Sequence, residues 1–112
     1  MTFSVRLVTS AKTDVDDIFG WLLSRSAQGA GNWYASLSAR LERLSHDASG
    51  CAVAREALRL KRDLRETYFK TRYGNRYRYR LVFTIVESEV RVLRVRALGQ
   101  KLLRTEELPS DE

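Results

Sequence analysis

From Arg76 to Ala97 the chain reads RYRYRLVFTIV, then Glu87-Ser88-Glu89, then VRVLRVRA. Arginine alternates with aromatic, aliphatic and β-branched residues. Strand side chains point to opposite faces in turn, so a period of two fits half-buried strands. Two strands with so short a connection pair antiparallel. In the first run the odd positions are Tyr79, Leu81, Phe83 and Ile85, and the even ones Arg78, Arg80, Val82 and Thr84. In the second, the odd set is Arg91, Leu93, Val95 and Ala97, and the even set Val90, Val92, Arg94 and Arg96. Neither set of the second run is uniformly apolar.

Register decides between them. With Glu87 to Glu89 as a three-residue connection, Val86 pairs with Val90, Phe83 with Leu93, Leu81 with Val95 and Tyr79 with Ala97. Arg80 then faces Arg96, and Val82 faces Arg94. A two-residue connection sets Leu81 against Arg94 and Tyr79 against Arg96, sending arginines into the core. An unpaired buried charge costs several kcal/mol, and a one-residue slip flips every side chain, so the three-residue register is expected. It leaves Arg80 and Arg96 opposed, with Cβ atoms about 4.5–5.5 Å apart, and like charges so placed destabilise a sheet. A phosphate or carboxylate over that face relieves them, and Lys70, Arg72, Arg76 and Arg78 extend the patch. The alternative is internal neutralisation, by Glu66 or by the acidic C-terminal tail.

Upstream, Phe3 to Val8 alternates and reads as a first strand, with Thr9 and Ser10 as candidate helix caps. Ala11, Val15, Ile18 and Leu22 draw one apolar stripe on a helix from about Ala11 to Ser24. Asp14, Asp16 and Asp17 suit its start, where the helix dipole favours negative charge. The glycines of SAQGAGN break the pattern. A second helix runs from Gly31 or Asn32 to His46 on a stripe of Trp33, Leu37, Leu41 and Leu44, with Arg40, Glu42 and Arg43 off it. Trp33 reads as the core anchor of this hairpin, and His46 as a residue near a helix end. DASGCAVARE reads as a loop, and residues 56–62 fit either a short helical turn or the run-in to a strand. Leu64 to Tyr73 is a strand and Gly74-Asn75 a tight turn. The order β-α-α-β-β-β gives an α+β fold, with the helical hairpin on one face of an antiparallel meander. One domain is expected over residues 1–104, followed by an acidic, mobile tail over 105–112.

Charge narrows the function classes. The chain of 112 residues carries a net +6, but Arg55 to Lys101 holds 14 basic against 5 acidic residues. So basic a block favours a polyanionic or acidic partner. No apolar run reaches the ~18 residues of a membrane span. The N-terminus lacks the pattern of a signal peptide, and Cys51 is the single cysteine. A cytoplasmic protein without disulfide, metal or cofactor is expected. Cys51 reads as a loop or small core residue.

The first strand followed by Ala11, Asp14, Val15 and Ile18 resembles the start of the RelE/ParE superfamily of toxins. LRETYFKTRYGNRYRYRLVFTIVESEVRVLRVRALGQKLL is similar to that superfamily's C-terminal strands. The resemblance spans Phe3 to Leu103 and implies the toxin of a type II toxin–antitoxin module, often described as plasmid stabilisation. It implies an antitoxin that wraps the toxin with an acidic, amphipathic segment in a hetero-oligomer. Some relatives cleave mRNA on the ribosome and others bind DNA gyrase. For RNA cleavage, Arg80 matches the arginine of the YRLVF strand, and Lys70 and Arg72 resemble a basic pair that holds phosphate. Arg96 completes that candidate set, with Glu66 a conceivable base. Where many nucleases of the family carry histidine or tyrosine, this chain has Ala97 and Leu98, which transfer no proton. Gln100 or Lys101 stands where a basic residue often lies. A ParE-like, target-binding toxin is therefore the first reading. A RelE-like mRNA endonuclease and an inactive nucleic-acid- or antitoxin-binding member are the alternatives. The candidate binding set is Lys70, Arg72, Arg76, Arg78, Arg80, Arg94, Arg96 and Lys101. On this reading Arg80→Ala and Arg96→Ala weaken function and leave the fold intact.

Overall fold

The arginine-bearing runs lie at the centre of a five-stranded sheet. The computed structural model describes residues 2–71, 78–97 and 100–109. In chain order the elements are β1 (Ser4–Leu7), α1 (Thr9–Leu23), α2 (Ala27–Asp47), β2 (Ala52–Val53), α3 (Ala57–Leu60), β3 (Arg65–Lys70), β4 (Arg78–Val86) and β5 (Glu89–Ala97). Short 3₁₀ turns occupy Ala48–Gly50 and Thr105–Glu107. The strand order is β1-β5-β4-β3-β2, with β1 parallel to β5 and every other pair antiparallel. The fold is α+β with the expected topology, and β2 is an addition that the sequence reading treated as loop.

The α1 stripe is as expected, with Ala11 and Val15 buried and Ile18 and Leu22 packed against them. Thr9 and Ser10 do not cap it. The chain leaves the sheet at Val8, whose N–H still bonds the Val92 carbonyl at 3.0 Å, so the hydroxyls fall inside the first turn. Helix α2 begins four residues before the expected Gly31. Ser26 Oγ accepts from the Gly29 N–H at 3.0 Å, and this cap starts the helix ahead of both glycines. Trp33 is fully buried, its ring 6.1 Å from Phe69 and 5.6 Å from Tyr79. Arg40, expected off the stripe, is buried too, and donates to Thr67 Oγ1 from Nε and Nη2 at 2.9 and 2.7 Å. Burial pushes the nearby Cys51 thiol above its usual range, and the Asp47 carboxylate adds to the shift.

The β4–β5 register is half as expected. Tyr79 pairs with Ala97, Arg80 with Arg96, Leu81 with Val95 and Val82 with Arg94. Beyond that, Phe83 pairs with Val92, Ile85 with Val90 and Val86 with Glu89. The connection is therefore two residues, Glu87 and Ser88, with Glu87 at φ 57°. A bulge with Leu93 as the extra residue absorbs the difference. It lets Val90 and Val92 share the helical side with Val95 and Ala97, although their sequence parity differs. A uniform ladder cannot do that without burying arginines.

The helices cover one face of the sheet, and α3 with residues 100–109 lies on the other. Leu103 and Leu108 are both buried in the core. The start of the expected tail is docked: Arg62 Nη2 donates to the Pro109 carbonyl at 3.0 Å. Within residues 56–62, left open by sequence, Ala57–Leu60 form α3, closed by Lys61 in the left-handed region at φ 54°. The expected Gly74-Asn75 turn lies outside the described residues. Among those described, no helix is long and apolar enough to cross a membrane.

Candidate functional site

The face of the sheet away from the hairpin takes the even positions of β3 and β4: Glu66, Tyr68, Lys70, Arg78, Arg80, Val82 and Thr84. Opposite Arg80 and Val82 on β5 stand Arg96 and Arg94. The expected opposition of Arg80 and Arg96 is present. Around that opposition it is not an open anion site, because Arg80, Arg94 and Arg96 each meet an acidic group of the chain itself.

Arg80 is 4% exposed. Its Nη1 and Nη2 donate to the two carboxylate oxygens of Glu56 at 2.8 and 2.6 Å, and Nη1 also reaches Glu66 Oε1 at 3.0 Å. Glu56 is fully buried and takes the Leu103 N–H at 2.9 Å on Oε2. Burial alone raises the Glu56 carboxyl. The Arg80 hydrogen bonds, the Leu103 N–H and the Arg80 charge outweigh it and hold the group at about 2. Glu66 Oε2 accepts from the Tyr68 hydroxyl at 2.8 Å, and Arg55 Nη2 donates to that hydroxyl at 3.4 Å. Burial and then the Glu66 hydrogen bond push the Tyr68 phenol upward. The Arg80 guanidinium is an interior group, with both Nη nitrogens bonded to carboxylates. Glu66 is likewise committed, to Arg80 and Tyr68.

Arg94 forms a two-point pair with Asp14 at 2.7 and 2.8 Å, and that hydrogen bonding raises its already high pKa. The same carboxylate takes the Val95 N–H at 2.9 Å, where β5 extends past the end of β1. Asp14 therefore ties α1 to the sheet edge rather than serving the helix dipole. Arg96 contacts Glu107 at 3.3 Å and donates to the Lys101 carbonyl at 3.1 Å.

Three of the predicted binding residues remain open to solvent: Lys70, Arg78 and Lys101. Lys70 and Arg78 are cross-strand partners on β3 and β4, a second like-charge pair beside the Arg80–Arg96 opposition. Arg72 and Arg76 lie outside the described residues. No group of three or more His, Cys, Asp or Glu among the described residues stands in metal-binding proximity. His46 is exposed at the end of α2.

The helical side offers a second surface. Trp21 is 56% exposed, with Leu23 and Tyr34 similarly open. Arg25 stacks over the Trp21 ring at 4.4 Å, and Phe19 meets Tyr34 edge-on at 5.9 Å. The two surfaces together are a cationic rim and an apolar helical tip.

The sequence gives no sign of Glu56 and Asp14 as the partners of Arg80 and Arg94. The alternative of neutralisation by Glu66 or the tail carried the right signal.

Comparison with known families matches residues 5–101 to the ParE toxin of type II toxin–antitoxin system, parDE. A search of curated proteins returns no match.

Proposed function

The chain belongs to the ParE toxin family of type II toxin–antitoxin systems, and from that premise we propose that it inhibits growth by binding a macromolecular target such as DNA gyrase, and that a cognate antitoxin neutralises it. The observation that carries this reading is the commitment of Arg80 to Glu56 and Glu66. Phosphodiester cleavage needs cations free to meet the phosphate and a proton-transfer pair beside it. The arginine best matched to that role has no free fork. Binding a protein target requires neither group. It requires exposed charge and apolar area, which Lys70, Arg78 and Lys101 supply on one side and Trp21, Leu23 and Tyr34 on the other. An amphipathic antitoxin segment that is acidic along one edge fits both surfaces.

One contact favours the mRNA endonuclease as second reading. Tyr68 and Glu66 form a hydrogen-bonded pair on the face that carries Lys70 and Arg78. The raised Tyr68 phenol suits a proton donor and not a base. Inducible expression in bacteria, with and without the adjacent gene, tests the toxin itself: growth arrest relieved by co-expression is expected. A supercoiling assay with purified gyrase and an in vitro translation assay read for mRNA cleavage then separate the two mechanisms. Inhibited supercoiling with intact mRNA supports the first reading. Cleaved mRNA that becomes intact with Tyr68→Phe supports the second.

A further inference from the structure

Of the arginines that β4 and β5 carry on the outer face, Arg80 and Arg94 each hold a carboxylate at two points. Arg80 meets Glu56 at two points, 2.8 and 2.6 Å, and Arg94 meets Asp14 at 2.7 and 2.8 Å. The two-point fork onto a carboxylate is the geometry that a guanidinium binds best. Arg96 lacks it. Its Nη1 has one long contact to Glu107 Oε2 at 3.3 Å, and its Nη2 donates to a backbone carbonyl at 3.1 Å. Its Nε is buried with no hydrogen-bond partner among the described residues. An orphaned donor is a standing cost that a better-placed acceptor removes.

Arg96 also lines an open cleft of about 640 Å³ with Gln100, Lys101, Leu102, Arg104 and Glu107. Lys101 and Arg104 are exposed cations at its rim. Glu107 is held there from behind: its Oε1 accepts the Arg104 N–H at 2.9 Å. A carboxylate of the chain thus stands among three cations while contacting Arg96 only once.

We propose that this cleft is a carboxylate-binding site for an acidic side chain of the antitoxin, and that Glu107 is the internal placeholder which that side chain replaces on Arg96. The proposal rests on the antitoxin reading above. Two features favour a protein carboxylate over a nucleic-acid phosphate. The placeholder is itself a carboxylate, and Leu102, 39% exposed, offers apolar surface to the methylene stem of an incoming glutamate. Among the described lining residues there is no aromatic ring on which a base would stack.

The test titrates an acetylated hexaglutamate peptide against the full chain at low salt, with a six-nucleotide RNA as a second arm. Arg96→Gln is expected to weaken peptide binding about tenfold, as loss of a charged hydrogen-bonded partner does. Arg43→Gln, which removes the same charge from α2, is expected to change it less than about twofold, as a screened surface charge does. Glu107→Gln is expected to tighten it about threefold or more by removing the competing charge. Equal effects of Arg96→Gln and Arg43→Gln, or no tightening with Glu107→Gln, would overturn the proposal. So would an RNA affinity that depends on Arg96 more than the peptide affinity does. Circular dichroism melting checks each variant; should Arg96→Gln fail to fold, Glu107→Gln alone decides, since it leaves the guanidinium in place. The titration needs no toxicity. Absence of growth arrest with these binding shifts intact would therefore sink the toxin reading while leaving the carboxylate preference of the cleft in place.

Discussion

Arg80 occupies a position where the sheet's period and its charge disagree, and two glutamates reconcile them. One comes from the neighbouring strand and one from the residue before α3, and both are nearly or fully buried. A buried pair can be close to neutral for stability while the loss of one member is severe, because the other charge is stranded. Arg80→Ala is therefore expected to destabilise the fold by about 3–5 kcal/mol in urea unfolding. The sequence reading expected this variant to remain folded and lose only function, and a near-neutral result would restore that reading. Glu56 makes the same cluster sensitive to acid. Its folded value of about 2 lies below the 4.5 of the free side chain, so the stability it contributes is complete above about 4.5. That contribution is lost as pH falls from there toward 2, because the unfolded chain takes up the proton first. Melting temperatures measured from pH 6 to pH 2.5 are expected to fall more steeply for the native chain than for Glu56→Gln, which has no such proton to bind. On the opposite face Trp33, enclosed by Phe69 and Tyr79, is an ordinary large core residue. Trp33→Ala is expected to cost about 3–5 kcal/mol in the same unfolding assay.

The elements with strong periodicity were legible, and those fixed by distant contacts were not. The stripe of α1 and the alternation of β4 follow from side-chain geometry alone. The bulge in β5 was also written in the sequence, since apolar parity switches from Val90 and Val92 to Val95 and Ala97 with Leu93 between. Either uniform register satisfies only half the strand. The early start of α2 turned on one side chain. Ser26 caps the helix ahead of two glycines, each worth about 1 kcal/mol against it, so local hydrogen bonding prevails over propensity. Ser26→Ala is expected to cost about 1 kcal/mol, and amide exchange over residues 27–31 is expected to quicken while the rest of α2 stays protected. By contrast, β2 has two residues and α3 has four, too few to show a period. Asp14 meets Arg94 across 80 positions of sequence, and no local pattern encodes such a partner. The candidate site was therefore legible as a set of cations on one face. Which of them were already neutralised was not.

At the scale of the whole molecule, the two faces of the sheet are closed by different chemistry. The helical hairpin closes one with aromatic and aliphatic packing, and the C-terminal segment closes the other with charge and two leucines. Leu103 is anchored by the Glu56 carboxylate on its N–H and by Arg59 on its carbonyl, the latter at 2.6 Å. Leu108 is 6% exposed, and between them Glu107 offers its carbonyl to Arg94 at 2.8 Å and its carboxylate to Arg96. The segment is thus part of the fold as well as the wall of the cleft, and these two roles separate by truncation. A chain ending at Arg104 keeps Leu103 but loses Leu108, Glu107 and the carbonyl that Arg62 uses. Losing the burial of one leucine removes about 1.5–3 kcal/mol, and exposing the Arg94 and Arg96 donors to water restores part of their solvation. The truncated chain is expected to lose about 2–3 kcal/mol in urea unfolding, with Leu108→Ala accounting for most of it and Glu107→Gln for little. A truncation without effect on the unfolding midpoint would mean that residues 105–109 are detached in solution. The acidic stretch would then be the loose tail its composition suggests, and Glu107 could not hold a place on Arg96.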